Sequence, residues 1–115
     1  LDVGGEQGSL RHFLNLKNPA NQYCCIDPFV KLFQQDAPLP SNYALAYPCL
    51  REPLNFVVGS AERLPFQSKK FDYVHMRSVL DHLYDPYIAM RETYRVLKPE
   101  GKFLIGLSVT GGGHP

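Results

Sequence analysis

Short, evenly apolar runs punctuated by turns, with one longer stretch of helical spacing, set the pattern of this chain. Leu1-Asp2-Val3 reads as the end of a buried strand that feeds directly into Gly4-Gly5-Glu6-Gln7-Gly8. Leu10, Phe13, Leu14 and Lys17 follow helical spacing, so a short helix is predicted over 9–17, with Ser9 as its cap. Asn18-Pro19 would stop it. Tyr23-Cys24-Cys25-Ile26-Asp27 is too short and too evenly apolar for a surface helix and predicts a second buried strand. A helical turn over 29–35 would follow.

Between 36 and 53 the periodicity dissolves. Pro38, Pro40, Pro48 and Pro53 break regular structure while Tyr43, Leu45, Tyr47 and Leu50 keep the segment apolar. It reads as an irregular proline-rich insertion, either a packed loop or part of a substrate lid. Leu54–Val58 predicts a third strand, ended by Gly59. Phe71–His75 predicts a fourth and Lys102–Leu107 a fifth. A short helix is expected over 78–83. The best-marked helix has Asp85 as N-cap and Pro86 at its first position. Ala89, Met90, Thr93, Val96 and Leu97 form its apolar face, and Arg91, Glu92 and Arg95 lie largely on the other. Lys98 would favour its negative end, with Pro99 and Gly101 ending it. Strands alternating with helices imply a parallel α/β sheet with right-handed crossovers.

At 115 residues the chain holds one domain at most. It opens inside a strand and closes on Thr110-Gly111-Gly112-Gly113-His114-Pro115, a loop leading nowhere, which reads as a single partial domain over 1–115. The net charge of +1 provides no field for nucleic acid or an anionic membrane. No apolar run approaches the ~20 residues that span a bilayer. Three cysteines, two of them adjacent and none in a CxxC pair, suggest neither a disulfide framework nor a zinc site, and a cytoplasmic setting is the default. His82 with Asp81 and Asp85 has the composition of a metal set, but the spacing spreads them around a helix. A capped surface helix explains them better.

Candidate chemistry begins with the glycine turn. A strand feeding such a turn, followed about nineteen residues later by Asp27 at the tip of the next strand, is how α/β folds hold a ribose-bearing cofactor. Four blocks carry a wider resemblance: LDVGGEQG, the CCIDP step, GSAERLPF, and FDYVHMRSVLDHLYDP running on to RVLKPEGKFLI. With these blocks, from Leu1 to about Leu107, the chain resembles the class I S-adenosylmethionine-dependent methyltransferases that act on small molecules.

The resemblance implies a Rossmann-like doubly wound sheet in the order 3-2-1-4-5, lacking the family's last two strands and leaving the fifth as an apolar edge open to self-association. It implies S-adenosylmethionine as cofactor, a small-molecule acceptor, and no metal, nucleic acid or membrane partner. Asp2, Gly4, Gly5 and Gly8 would form the turn under the methionine part of the cofactor. Asp27 would hold the ribose hydroxyls, with Pro28 or Phe29 beside the adenine and Ala61 and Glu62 at the adenine edge. His75 and Met76 would line the pocket near the methyl group, His75 being the candidate base if the acceptor is a hydroxyl. One position departs from the family: Glu6 stands where a further glycine usually passes close to the ligand. That substitution keeps a second reading open, a methyltransferase-like scaffold without catalysis. A nicotinamide-binding fold is poorly supported, since the G-x-G-x-x-G spacing is not met from Gly4.

Overall fold

In a computed structural model of the chain, residues 1–5, 8–28, 49, 55–77 and 79–107 are described. The helical turn expected over 29–35, nearly all of the 36–53 insertion, Glu6 and Phe29 lie outside them. Five parallel strands form one sheet: β1 (Asp2–Val3), β2 (Cys25–Asp27), β3 (Phe56–Val58), β4 (Phe71–Arg77) and β5 (Leu97–Gly106), in the order β3-β2-β1-β4-β5. This is the strand order expected of the family.

Strand alternation sorts the side chains by face. Val3, Ile26, Val74 and Met76 point to one side, where they pack with Ala61, Leu64, Ala89 and Val96 into a core from which water is nearly excluded. The opposite face of the central strands carries Asp2, Cys25 and His75. The register places Asp2 directly beside Cys25 on β2 and beside His75 on β4, so the three are nearest neighbours across strands roughly 4.8 Å apart. The fold thereby delivers a carboxylate, a thiol and an imidazole to a single patch.

The one α-helix among the described residues, α1 (Pro86–Val96), starts as expected: the Asp85 carboxylate accepts from the backbone N–H groups of Tyr87 and Ile88. Its buried stripe is Ala89, Thr93 and Val96. Met90 was expected in that stripe but is exposed. The helix does not continue to Lys98. Leu97 is already extended and opens β5, pairing with Phe71 across an irregular register, and the Lys98 amine lies 3.3 Å from the exposed Asp72 carboxylate. The segment after the glycine turn is likewise shorter than its periodicity suggests. It is a 3-10 helix over Ser9–Phe13, and Gly8, in the left-handed region at φ 76°, takes the cap position assigned to Ser9. The expected helix over 78–83 is a 3-10 turn at Leu80–His82.

Arg95 was expected on the solvent face of α1. Instead its guanidinium reaches across to the loop between β3 and β4, donating to the carbonyls of Leu64 (2.9 Å) and Phe66 (2.7 Å). Glu92 completes the clamp by accepting from the Leu64 N–H at 2.9 Å and from Arg95 Nε at 2.7 Å. The Arg95 hydrogen bond, helped by the Leu64 N–H and opposed by desolvation, holds the Glu92 carboxyl below its ordinary value of 4.5.

Because the group is depressed in the folded state, its stabilisation is whole above that ordinary value and is lost as pH falls through the lowered one. Arg95→Met is expected to cost about 1–2 kcal/mol in chemical denaturation, since charge-assisted hydrogen bonds are lost at a partly exposed site. The unfolding midpoints of wild type and Glu92→Gln should converge as the pH drops below 4.5. A gap that stays constant down to acid pH would show that the carboxylate contributes nothing.

Candidate active site

The carboxyl ends of β1, β2 and β3 lie side by side and are tied by backbone hydrogen bonds. Gly4 N–H donates to Ile26 C=O at 2.7 Å, and Gly59 N–H donates to Asp27 C=O at 3.4 Å. The glycine turn, Asp27 and the loop beginning at Gly59 therefore form one contiguous rim. This is the crevice position in which open parallel sheets bind ligands.

Two glycines of the turn are irreplaceable for reasons visible in the packing. Gly4 has φ 70°, and a Cβ there would lie 2.5 Å from a Val79 methyl. A Cβ on Gly5 would fall 2.4 Å from Asp2 Oδ2 and 2.8 Å from Cys25 Sγ. Close approach of backbone to buried side chains excludes any larger residue.

Beneath it lies Asp2, only 3% exposed. Tyr23 Oη donates to Asp2 Oδ2 at 2.5 Å, and His75 Nδ1 sits 3.1 Å from Oδ1. Both carboxylate oxygens are thus engaged by the protein, and Asp2 supports the turn from below. Burial, reinforced by the Asp2 charge, pushes the Tyr23 hydroxyl far up, so it remains a donor at any working pH. The same two causes push the Cys25 thiol up to about 12.

The remaining expected residues distribute around the rim. Asp27 ends β2 and is 6% exposed, Pro28 beside it is exposed, and Ala61 is buried against the core. Glu62 has a structural bond: its Oε1 accepts from the Tyr84 N–H at 3.1 Å, linking the loop after β3 to the loop after β4. Met76 points into the core at 0% exposure, so of the pair expected to line the pocket only His75 lies on the face of Asp2. Among the described residues no group of three or more His, Cys, Asp or Glu converges to hold a metal. A cavity of about 470 Å³ lies at the other end of the sheet, lined by Tyr23, which precedes β2, and Asn55, which precedes β3, with Arg11 and Lys17. Arg11 and Tyr23 connect it to the underside of the glycine turn.

Sequence reasoning missed Tyr23 and Arg11. The signal for Tyr23 was available: it lies two residues before Cys25 and so shares its face, the face that register gives to Asp2. Arg11 Nε donates to the Gly8 carbonyl at 3.0 Å, and its guanidinium lies 6.0 Å from the centre of the Tyr23 ring. Nothing local in the sequence announces that contact.

A family model for the methyltransferase domain matches residues 1–105. The chain belongs to the methyltransferase domain family. Its fold is that of the class I S-adenosylmethionine-dependent methyltransferases. Over 55 residues it is 46% identical to the ubiquinone/menaquinone biosynthesis C-methyltransferase UbiE of Rickettsia felis, a match covering 48% of this chain and 22% of that protein. The crystal structure of YcgJ from Bacillus subtilis superposes with a TM-score of 0.64 at 32% identity, covering 90% of this chain and 41% of that one. The [4+2]-cyclase SpnF is similar at a TM-score of 0.63 and 27% identity, over 90% and 36% of the two chains. The chain therefore spans less than half the length of these relatives.

The residues present fit the family's cofactor on the ground already described: a turn that no Cβ could enter, joined to a buried carboxylate at the next strand tip. Gly5→Ala is expected to lower stability by about 1–3 kcal/mol through overpacking and to abolish binding of S-adenosylhomocysteine. Calorimetric unfolding and titration check both. Wild-type binding by a folded Gly5→Ala protein would refute the close packing of this turn.

Proposed function

We propose that this methyltransferase domain binds S-adenosylmethionine and transfers its methyl group to a small-molecule acceptor. The observation that carries the reading is the adjacency of Asp27 to the glycine turn at the tips of β2 and β1, joined through the Gly4–Ile26 hydrogen bond. When bound, the cofactor supplies an activated sulfonium methyl. Gly4, Gly5 and Gly8 hold the methionine part by offering backbone without side chains. Asp27 accepts from the ribose hydroxyls, Pro28 flanks the adenine, and Ala61 with the Glu62 backbone meets its edge. The remaining work of the protein is placement, since alignment of acceptor and methyl can remove several kcal/mol, within the ~7–11 kcal/mol attributed to proximity at its best. Near-neutral charge favours a small acceptor over nucleic acid, and cysteines that form no disulfide among the described residues suit a reducing, cytoplasmic setting. No helix among the described residues is long and apolar enough to cross a membrane.

A second reading, a scaffold without methyl transfer, is favoured by Glu6 in place of a glycine and by the likeness to a cyclase, which demonstrates that the fold accommodates other chemistry. Calorimetric titration with S-adenosylhomocysteine separates the two. Micromolar binding that Asp27→Ala abolishes is the expected result; a wild-type protein that takes up no ligand would favour the scaffold.

The edge strand β5 carries exposed Leu104 and Ile105, with exposed Leu107 just after it, an apolar sheet edge of the kind that pairs with another chain. Sedimentation of this 115-residue chain should therefore reveal concentration-dependent association, and a strictly monomeric species at high concentration would remove this proposal.

A further inference from the structure

The glycine turn is held at both ends by one connected set of side chains. At its start, Gly5 packs against the Asp2 carboxylate, whose two oxygens take the Tyr23 hydroxyl and the His75 imidazole. At its end, the Gly8 carbonyl accepts from Arg11, and the Arg11 guanidinium lies over the ring of that same Tyr23. Tyr23 is the member common to both arms. Arg11, Tyr23 and Asp2 are each under 10% exposed, so water does not compete for these contacts and each is stronger for it.

We propose that Tyr23 and His75 are positioning residues for cofactor binding: together with Arg11 they fix the Asp2 carboxylate and the two ends of the glycine turn in the geometry that receives the ligand. This rests on the cofactor reading given above. Neither side chain needs to touch the ligand. A carboxylate with both oxygens bonded can occupy one place only, and Gly5 is seated against it. Loss of the Tyr23 hydroxyl would leave Oδ2 buried without that donor, and a carboxylate no longer held on that side shifts the surface on which Gly5 is seated.

The test uses the intact protein that carries this domain, with S-adenosylhomocysteine as probe and thermal unfolding recorded without ligand. Tyr23→Phe keeps the ring under Arg11 and removes only the donor; it should weaken binding by about tenfold while the protein stays folded. His75→Phe should do the same. His75→Asn, which keeps an N–H donor near the place of Nδ1, should recover most of that loss. A merely structural role would lower the unfolding temperature and leave the affinity of the folded protein, and the Phe-to-Asn difference, unmoved. Wild-type affinity in folded Tyr23→Phe and His75→Phe overturns the proposal and leaves the cofactor reading intact. Failure of the unsubstituted protein to bind the probe overturns the cofactor reading, and this proposal with it.

Discussion

A carboxylate buried between three strands is the constraint on which the rest of this site depends. Removing a charged group from water costs several kcal/mol unless the protein replaces the lost hydrogen bonds. Asp2 meets that requirement with partners distant in sequence: Tyr23 from the entry to β2 and His75 from β4. Their contact demands the observed register of β1 against both neighbours, because a slip of one residue would turn each side chain to the other face. The same carboxylate dictates a glycine at position 5, and through it the shape of the turn above. Strand order, register and turn geometry are therefore different views of a single packing solution.

How far this was legible in the sequence follows from the range of each interaction. The strands and the start of α1 rest on local signals: apolar runs, Asp85 and Pro86 at a helix start, and glycines at a strand end. The strand order and the start of α1 appear as expected, whereas β5 opens at Leu97 and takes in Pro99 and Gly101, which were expected to end the helix. What was misjudged depends on partners elsewhere in the chain. Arg95 has the spacing of an exposed helix residue, yet its long side chain is drawn to the carbonyls of Leu64 and Phe66. Glu62, expected at the adenine edge, has in addition a carboxylate that braces the Tyr84 amide, a partner that no local signal announces. The 9–17 stretch has helical spacing, but Gly8 in the left-handed region begins a tighter turn that ends by Phe13.

Arg95 and Glu62 together have a mechanical consequence. The loop after β3, which would carry the adenine edge, is fixed at its far end by Glu92 and Arg95 on α1 and near its start by Glu62. The Tyr84 amide that Glu62 holds belongs to the loop after β4. The loops after β3 and β4 are thus joined through one carboxylate, so a displacement of either is felt by the other. A rim whose loops are cross-tied, above a turn that is braced from below, suits chemistry in which placement is the main contribution of the protein.

The same arrangement explains why likeness of fold leaves the reaction open. What binds the nucleoside in this reading is backbone at the glycine turn and one carboxylate at the next strand tip, features that a methyltransferase and a cyclase of this fold can share. Selection of an acceptor requires groups that reach over the rim from its open side, and the described residues supply few. Tyr84, whose amide Glu62 holds, and Tyr87 are largely exposed large side chains with a polar tip. Aromatic rings held at a backbone already fixed on the sheet side lose little freedom on contacting a ligand. In the proposed reading the division of labour then follows: buried polar groups below the turn would determine whether the cofactor site exists, and the exposed rim would decide what the site can act on.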